Sequence, residues 1–255
     1  MPYCRLMRHN HFLVLFAAFS LTLAGCSSTP DFDTNTPEGA YKLGEKFEKD
    51  DRFEEAIAQF STVKNKHPYS KLATEAELKI AEINFKREEY VEAQNAYQVF
   101  KEMHPAHPRI DYVTYRLGLS FYNQLPSTID RDLAVAERAI LYFDEVVQSF
   151  PQSGHVKDAR EHKGKALTML AEKEYYIGNF YFIRDHHGSA LIRFEGLLDK
   201  YPNLGLDAKA LYGASVSAFM IKDLGKAKAH YQRLITQFKN SDEAEKARRE
   251  IGDRI

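Results

Sequence analysis

The sequence contains no tryptophan and only two cysteines in 255 residues, and its charges nearly cancel, with 35 Lys and Arg against 36 Asp and Glu. Two thiols close at most one disulfide, which excludes a disulfide-stapled scaffold and thiolate metal sites. No basic stripe or tail stands out, so nucleic acid is excluded as an electrostatically recruited partner. No G-x-S-x-G elbow, phosphate loop, H-E-x-x-H pair or dinucleotide glycine fingerprint occurs, so no catalytic residue and no metal ligand is assigned. The uncharged run Phe12 to Ala24 is too short for a stable membrane span, covering only ~20 Å of a ~30 Å hydrocarbon core.

Arg5, Arg8 and His9 precede that run, the layout of a secretory signal. It ends in Leu23-Ala24-Gly25-Cys26, which resembles the bacterial lipobox. The resemblance implies a signal peptide over residues 1–25, cleavage before Cys26, and a covalent lipid there, S-diacylglycerol on the thiol and an acyl chain on the new amino terminus. Several chains on one residue supply the multiple signals that stable membrane attachment needs. Ser27 after the cysteine implies sorting to the outer membrane of a Gram-negative cell, with the chain lipid-anchored on the periplasmic side. Residues 26–37, polar and rich in turn formers, read as a lipidated, flexible tether ahead of a domain over 38–255.

The domain repeats. A small residue, an aromatic four later and a proline eight after that recur as Ala56, Phe60, Pro68; Ala93, Tyr97, Pro105; Ala139, Phe143, Pro151; and Ala190, Phe194, Pro202. A fifth copy, Ala227 and Tyr231, has Lys239 in place of proline. Twelve before the anchor alanine stand Gly44, Ala81, Gly178 and Ser215, whereas in copy three Gly118 lies 21 before, an insertion of nine. Small residues let two helices approach, the aromatic fills the space they leave, and proline ends the second helix. Phe53, Ala56, Ile57, Phe60 and Val63 fall on one helical face. Successive anchors are 37, 46, 51 and 37 apart, which predicts an all-α superhelical array of five helical hairpins with longer helices in the middle.

Gly44, Phe47, Ala56, Phe60 and Pro68 match the small, aromatic and proline positions of the tetratricopeptide repeat (TPR) family, which the chain resembles in five copies. A narrower resemblance is carried by Tyr41 to Phe47, Tyr115 to Tyr122, Ala171 to Phe182 and Gly188 to Phe194, together with the lipobox and tether. These resemble the repeat-built lipoproteins of the outer-membrane β-barrel assembly (BAM) machine. That resemblance implies a non-enzymatic scaffold. Its C-terminal repeats bind the periplasmic POTRA domain of the barrel-forming subunit BamA, its N-terminal repeats bind unfolded outer-membrane proteins, and other BAM lipoproteins are neighbours.

In a stacked array the first helix of each pair lines the concave side. With its small residue counted as position eight, positions five and twelve are Tyr41 and Glu48, Leu78 and Phe85, Tyr115 and Tyr122, Tyr175 and Phe182, Tyr212 and Phe219. Eight of these ten are aromatic, which is explained either by packing between hairpins or by a trough for an extended peptide with apolar side chains. On the second reading Tyr41, Phe85, Tyr115 and Tyr122 form a peptide groove. Tyr175, Phe182, Arg184, Arg193, Tyr212 and Phe219 are then the partner contact that the BAM resemblance implies. Glu45, Lys49, Glu82 and Lys86 read as a solvated face or as partners for a peptide. The segment Asn123 to Asp132 reads as a surface loop, and His104, His107, His186 and His187 as exposed loop residues. A repeat-built envelope adaptor for a cell-wall enzyme, or a peptidoglycan-associated lipoprotein, remains the alternative function.

Overall fold

The computed structural model describes residues 32–255, and the signal peptide, Cys26 and the first part of the tether lie outside them. Eleven α-helices form among the described residues: α1 Pro37–Lys49, α2 Phe53–Lys66, α3 Lys71–Lys86, α4 Tyr90–Met103, α5 Ile110–Tyr122, α6 Ala134–Ser149, α7 Val156–Phe182, α8 His187–Lys200, α9 Asp207–Met220, α10 Leu224–Gln237 and α11 Asp242–Ile251. A 3₁₀ turn, Gly252–Arg254, ends the chain. Helices α1 to α10 pair as five hairpins, and each hairpin packs on the next in chain order. This is the superhelical TPR-like array the register predicts.

The hairpins close through one recurring contact. Phe60, Phe143 and Phe194 are buried, and each lies against a glycine of the first helix. A Cβ at Gly44 would meet Phe60 at 2.9 Å, one at Gly118 would meet Phe143 at 2.9 Å, and one at Gly178 would meet Phe194 at 2.8 Å. Phe194 also presses on Gly213 of the following hairpin, so one ring joins two repeats. Second helices stop where proline is expected, with His67, His104, Phe150 and Tyr201 as C-caps that share one non-helical conformation, φ -126 to -132° and ψ 50 to 56°, outside the α region that a following proline disfavours. In copy five Phe238 adopts the same conformation before Lys239. There Ser241 takes over, donating from Oγ to the Phe238 carbonyl and capping α11 by accepting from Ala244 N at 3.2 Å.

Three features add to the expectations. The end of the tether is ordered into the fold: Thr36 caps α1 by accepting from Gly39 N at 3.1 Å, and Pro37 occupies the first turn, where a missing N–H costs nothing. The extra residues between copies three and four go into a single helix, α7, of 27 residues. Its start packs on repeats two and three through Val156 and Ala159, and its middle is covered by the insertion of copy three. Leu133 is 2% exposed and packs with Ala136 and Ala166, alongside Leu125, Met169 and Leu170, so that loop covers α7 instead of only solvating the edge. Finally, α11 buries Ala244, Ala247 and Ile251 in the core of the last two repeats. Its other face exposes Glu245, Lys246, Arg248 and Arg249.

Four hairpin turns end their first helix with a residue at positive φ, and none is glycine: Asp51 (56°), Glu88 (61°), Asp185 (59°) and Lys222 (65°). In each turn the next backbone N–H reaches back to the fifth carbonyl before it, as in Asp223 N to Ala218 O at 2.9 Å. A side chain in this left-handed region costs ~1 kcal/mol relative to glycine. Lys222→Gly is therefore expected to raise stability by about 0.5–1 kcal/mol, read as an upward shift of the thermal midpoint by ~1–4 °C. An unchanged or lowered midpoint contradicts this account of the turn.

Candidate functional site

The ten positions along the first helices do not share one environment. Leu78 and Tyr115 are buried, at 1% and 8% exposure. Tyr115 is the correction to the groove reading. Its ring stacks on His155 at the start of α7, 5.0 Å between centroids and 8° between planes, with Phe143 behind it at 6.2 Å. His155 is the N-cap of α7 in the following repeat, and register within a single repeat does not contain that contact. Tyr122 keeps part of its surface and meets His162 edge-on at 5.1 Å. Phe85 is half-buried beneath the Arg116 guanidinium, 3.5 Å above its ring, and meets Tyr90 at 5.2 Å.

Around the first two hairpins the concave side is charged. Tyr41 packs edge-on to Phe60 at 5.1 Å. Burial, followed by the carboxylates of Glu45, Glu75, Glu82 and Glu48, pushes its phenol up to about 12. Lys79 donates to Glu48 at 3.0 Å and lies 3.9 Å from Glu82, which also accepts from Arg109 at 2.6 Å. Burial disfavours the Lys79 ammonium, but the bond to Glu48 and the surrounding carboxylates outweigh it and raise its pKa. Lys86 pairs with Asp51 at 2.9 Å across the turns. Tyr41 and Phe85 therefore stand as half-buried rings among charged side chains.

At the C-terminal end the concave rings are latched by the end of the chain. Phe182 lies 6.1 Å from both Phe194 and Tyr212, and Tyr175 packs 5.9 Å from Phe194. Tyr212 donates to Glu250 of α11 at 2.8 Å. Burial and that carboxylate both raise its pKa. Arg254 places its guanidinium 4.5 Å over Phe219. Arg193 pairs with Glu174 at 3.2 Å. Of the six residues assigned to partner contact, Arg184 alone is exposed, its guanidinium 3.7 Å over the ring of Phe180.

The larger apolar surface lies beside these residues and is missing from the sequence-derived set. Phe180, Ile183, Met220, Ile221 and Leu224 are 43 to 64% exposed. They sit on the edge formed by the α7–α8 and α9–α10 turns. A signal for it exists in the register: the corresponding turns of copies one and two read Lys49-Asp50-Asp51-Arg52 and Lys86-Arg87-Glu88-Glu89, whereas copies four and five carry Ile183 and Met220-Ile221. Patches of exposed large apolar side chains mark interaction surfaces.

The histidines are less exposed than expected, His186 excepted. His104 and His107 bond Glu77 at 2.9 Å and Glu75 at 3.3 Å and pack on Phe100, tying the turn after α4 to α3. His187 is half-buried against Phe182. Among the described residues no group of three or more His, Cys, Asp or Glu is arranged to hold a metal, and no helix is long and apolar enough to cross a membrane.

Comparison with known proteins places this geometry. The family model described as outer membrane lipoprotein, YfiO, matches residues 33–212, and a tetratricopeptide repeat model matches residues 209–241. The chain is 28% identical over 242 residues to the outer membrane protein assembly factor BamD of Rickettsia prowazekii (strain Madrid E), covering 92% of this chain and 94% of that one. It is 27% identical over 210 residues to the protein of the same name from Pasteurella multocida (strain Pm70), covering 79% and 78%. Among solved structures, the TPR2AB-domain:pHSP90 complex of yeast Sti1 is similar with a TM-score of 0.44 at 16% identity, covering 83% of this chain and 81% of that chain.

Two measurements check the site's physics. Tyr115→Ala is expected to lower stability by about 3–5 kcal/mol in urea unfolding, as for a core aromatic. A loss within about 1 kcal/mol returns Tyr115 to the groove. The raised phenol of Tyr41 favours the folded state below pH 10, and that contribution is lost as pH rises through about 12. Accordingly, the difference in phenolate absorbance between the unsubstituted chain and Tyr41→Phe is expected to titrate near 12. A difference titrating near 10, the ordinary tyrosine value, contradicts the environment described.

Proposed function

Because the chain belongs to the YfiO family of outer membrane lipoproteins, we propose that it is a non-catalytic subunit of outer-membrane protein assembly, lipid-anchored through Cys26 on the periplasmic side. The names of its relatives, assembly factors of outer membrane proteins, support the role. The lipobox supports the anchor.

The observation that carries a scaffold reading is the allocation of surface between the two ends of the array. Copies one and two present ion-paired turns, and copies four and five present exposed Ile183, Met220, Ile221 and Leu224. An apolar turn edge that costs solvation in isolation gains by being covered. It is the docking edge for a stable partner, and the partner of this reading is the POTRA domain of BamA. Arg184 and the half-buried Tyr175, Phe182, Tyr212 and Phe219 back that edge, and Arg193, paired with Glu174, flanks it.

The N-terminal repeats suit a weaker, exchanging ligand. Tyr41, Phe85 and Tyr122 offer ring edges for apolar side chains, while Lys79, Arg109 and Arg116 offer donors for backbone carbonyls and carboxylates. Unfolded outer-membrane protein segments are the ligand of this reading, bound there while the C-terminal repeats hold the barrel-forming subunit.

The test is a pull-down of the lipid-anchored chain from its native membrane in mild detergent, with mass spectrometry of what remains bound at moderate salt. A POTRA-bearing barrel subunit is expected at near-equal amount. Ile183→Asp with Leu224→Asp should reduce it at least tenfold without moving the thermal midpoint, since both side chains are more than half exposed. Recovery of a cell-wall hydrolase or peptidoglycan fragments in its place moves the function to an envelope adaptor.

A further inference from the structure

The turn between α2 and α3 carries an aromatic side chain with no packing partner. Tyr69 is fully exposed. It stands between Lys66 and Lys71, within a stretch from Ala56 to Thr74 that contains three lysines, Lys64, Lys66 and Lys71, and no carboxylate. Lys66 and Lys71 form no ion pair among the described residues, and Lys64 lies 3.9 Å from Glu77. The carboxylates that follow in sequence, Glu75 and Glu77, are held by His107 and His104. The residue in Tyr69's position in the other copies is Ala106, Gln152, Asn203 and Asn240. Only the first copy places an aromatic at the tip.

That copy is also the one next to the anchor. Helices α1 and α2 run antiparallel, so the start of α1 at Pro37 and the end of α2 at Lys66 share an edge, and the His67–Lys71 turn protrudes from it. Ten residues lie between Cys26 and Pro37, a reach of at most ~40 Å from one Cα to the other. A chain held to a lipid surface at Cys26 keeps this edge within that distance of the headgroups.

We propose that the His67–Lys71 turn is a second membrane contact, in which Tyr69 enters the headgroup region of an anionic phospholipid surface and Lys66 and Lys71 meet its phosphates. A tyrosine presents an apolar ring and a polar tip, which suits the membrane–water interface, and each basic residue near an anionic surface is attracted to it over about a Debye length. The lipid at Cys26 supplies affinity but leaves rotation about the tether unconstrained. A second contact at a defined edge sets which side of the array faces the membrane and leaves the apolar turns of copies four and five on the opposite edge, free for a protein. This inference rests on the lipid-anchor reading of Cys26.

The absence of tryptophan provides the test. The full lipidated chain carrying Tyr69→Trp, and separately Leu224→Trp on the opposite edge, is reconstituted with vesicles of phosphatidylethanolamine and phosphatidylglycerol bearing brominated acyl chains. Flotation reports the anchor independently of the fluorescence. The expected result is flotation, with blue-shifted and quenched emission for the indole at 69, water-like emission for the one at 224, and loss of the quenching in Lys66→Glu with Lys71→Glu. Flotation with water-like emission at 69, or equal quenching at both positions, overturns the second contact and leaves the anchor standing. Quenching at 69 without an acylated Cys26 by mass spectrometry supports the contact and removes the anchor. Neither flotation nor quenching overturns both. A blue shift at 69 that appears only on adding solubilised membrane proteins assigns the turn to a protein partner and overturns the proposal.

Discussion

An aromatic ring seated where a helix has no side chain is the contact on which this array depends. Phe60 on Gly44, Phe143 on Gly118 and Phe194 on Gly178 each fill a space that a Cβ would close. The ring brings two helix axes together and leaves its far side for the next hairpin, as Phe194 does at Gly213. A hairpin alone buries too little to be stable, and stacking turns five marginal units into a continuous core. The buried clusters follow this chain-local logic, with the last two repeats and α11 sharing one core and repeats two and three another.

Because each hairpin is held from within, its surfaces are left to vary from copy to copy. The turn edge passes from salt-bridged Asp51 and Lys86 at one end to bare Ile183, Met220 and Ile221 at the other. The concave side passes from the carboxylate-rich surroundings of Tyr41 to rings held under Glu250 and Arg254. A rigid array with different chemistry at its two ends can hold one partner continuously while a second exchanges, and this physical property suits an assembly subunit better than an enclosed catalytic site does.

The middle of the array shows how a departure from repetition is accommodated. A helix of 27 residues cannot be covered by hairpins of ordinary length. The nine-residue insertion of copy three supplies the missing cover through Leu125 and Leu133, and Lys173 of α7 donates to the Arg131 carbonyl within it. The same long helix carries His155 onto Tyr115 and His162 onto Tyr122. Two irregularities that look independent in the chain are one packing solution.

The sequence by itself determined the number of hairpins, their register and the places where second helices stop. Those depend on contacts within a few tens of residues and on the local conformational limits of glycine and proline. Copy five keeps its stop without proline, and the register still located it through Ala227 and Tyr231. Only the tertiary structure decided which of the ten first-helix side chains remain accessible. Leu78 and Tyr115 are covered and Phe85 and Tyr122 are partly so, because the groups that cover them come from neighbouring elements at separations the repeat does not encode. Glu250 reaches Tyr212 across 38 residues. Arg116 reaches Phe85 from the next hairpin, and His155 reaches Tyr115 from the start of α7 in the following repeat. Exposure is a property of how repeats stack, and a side chain's own repeat does not contain that information.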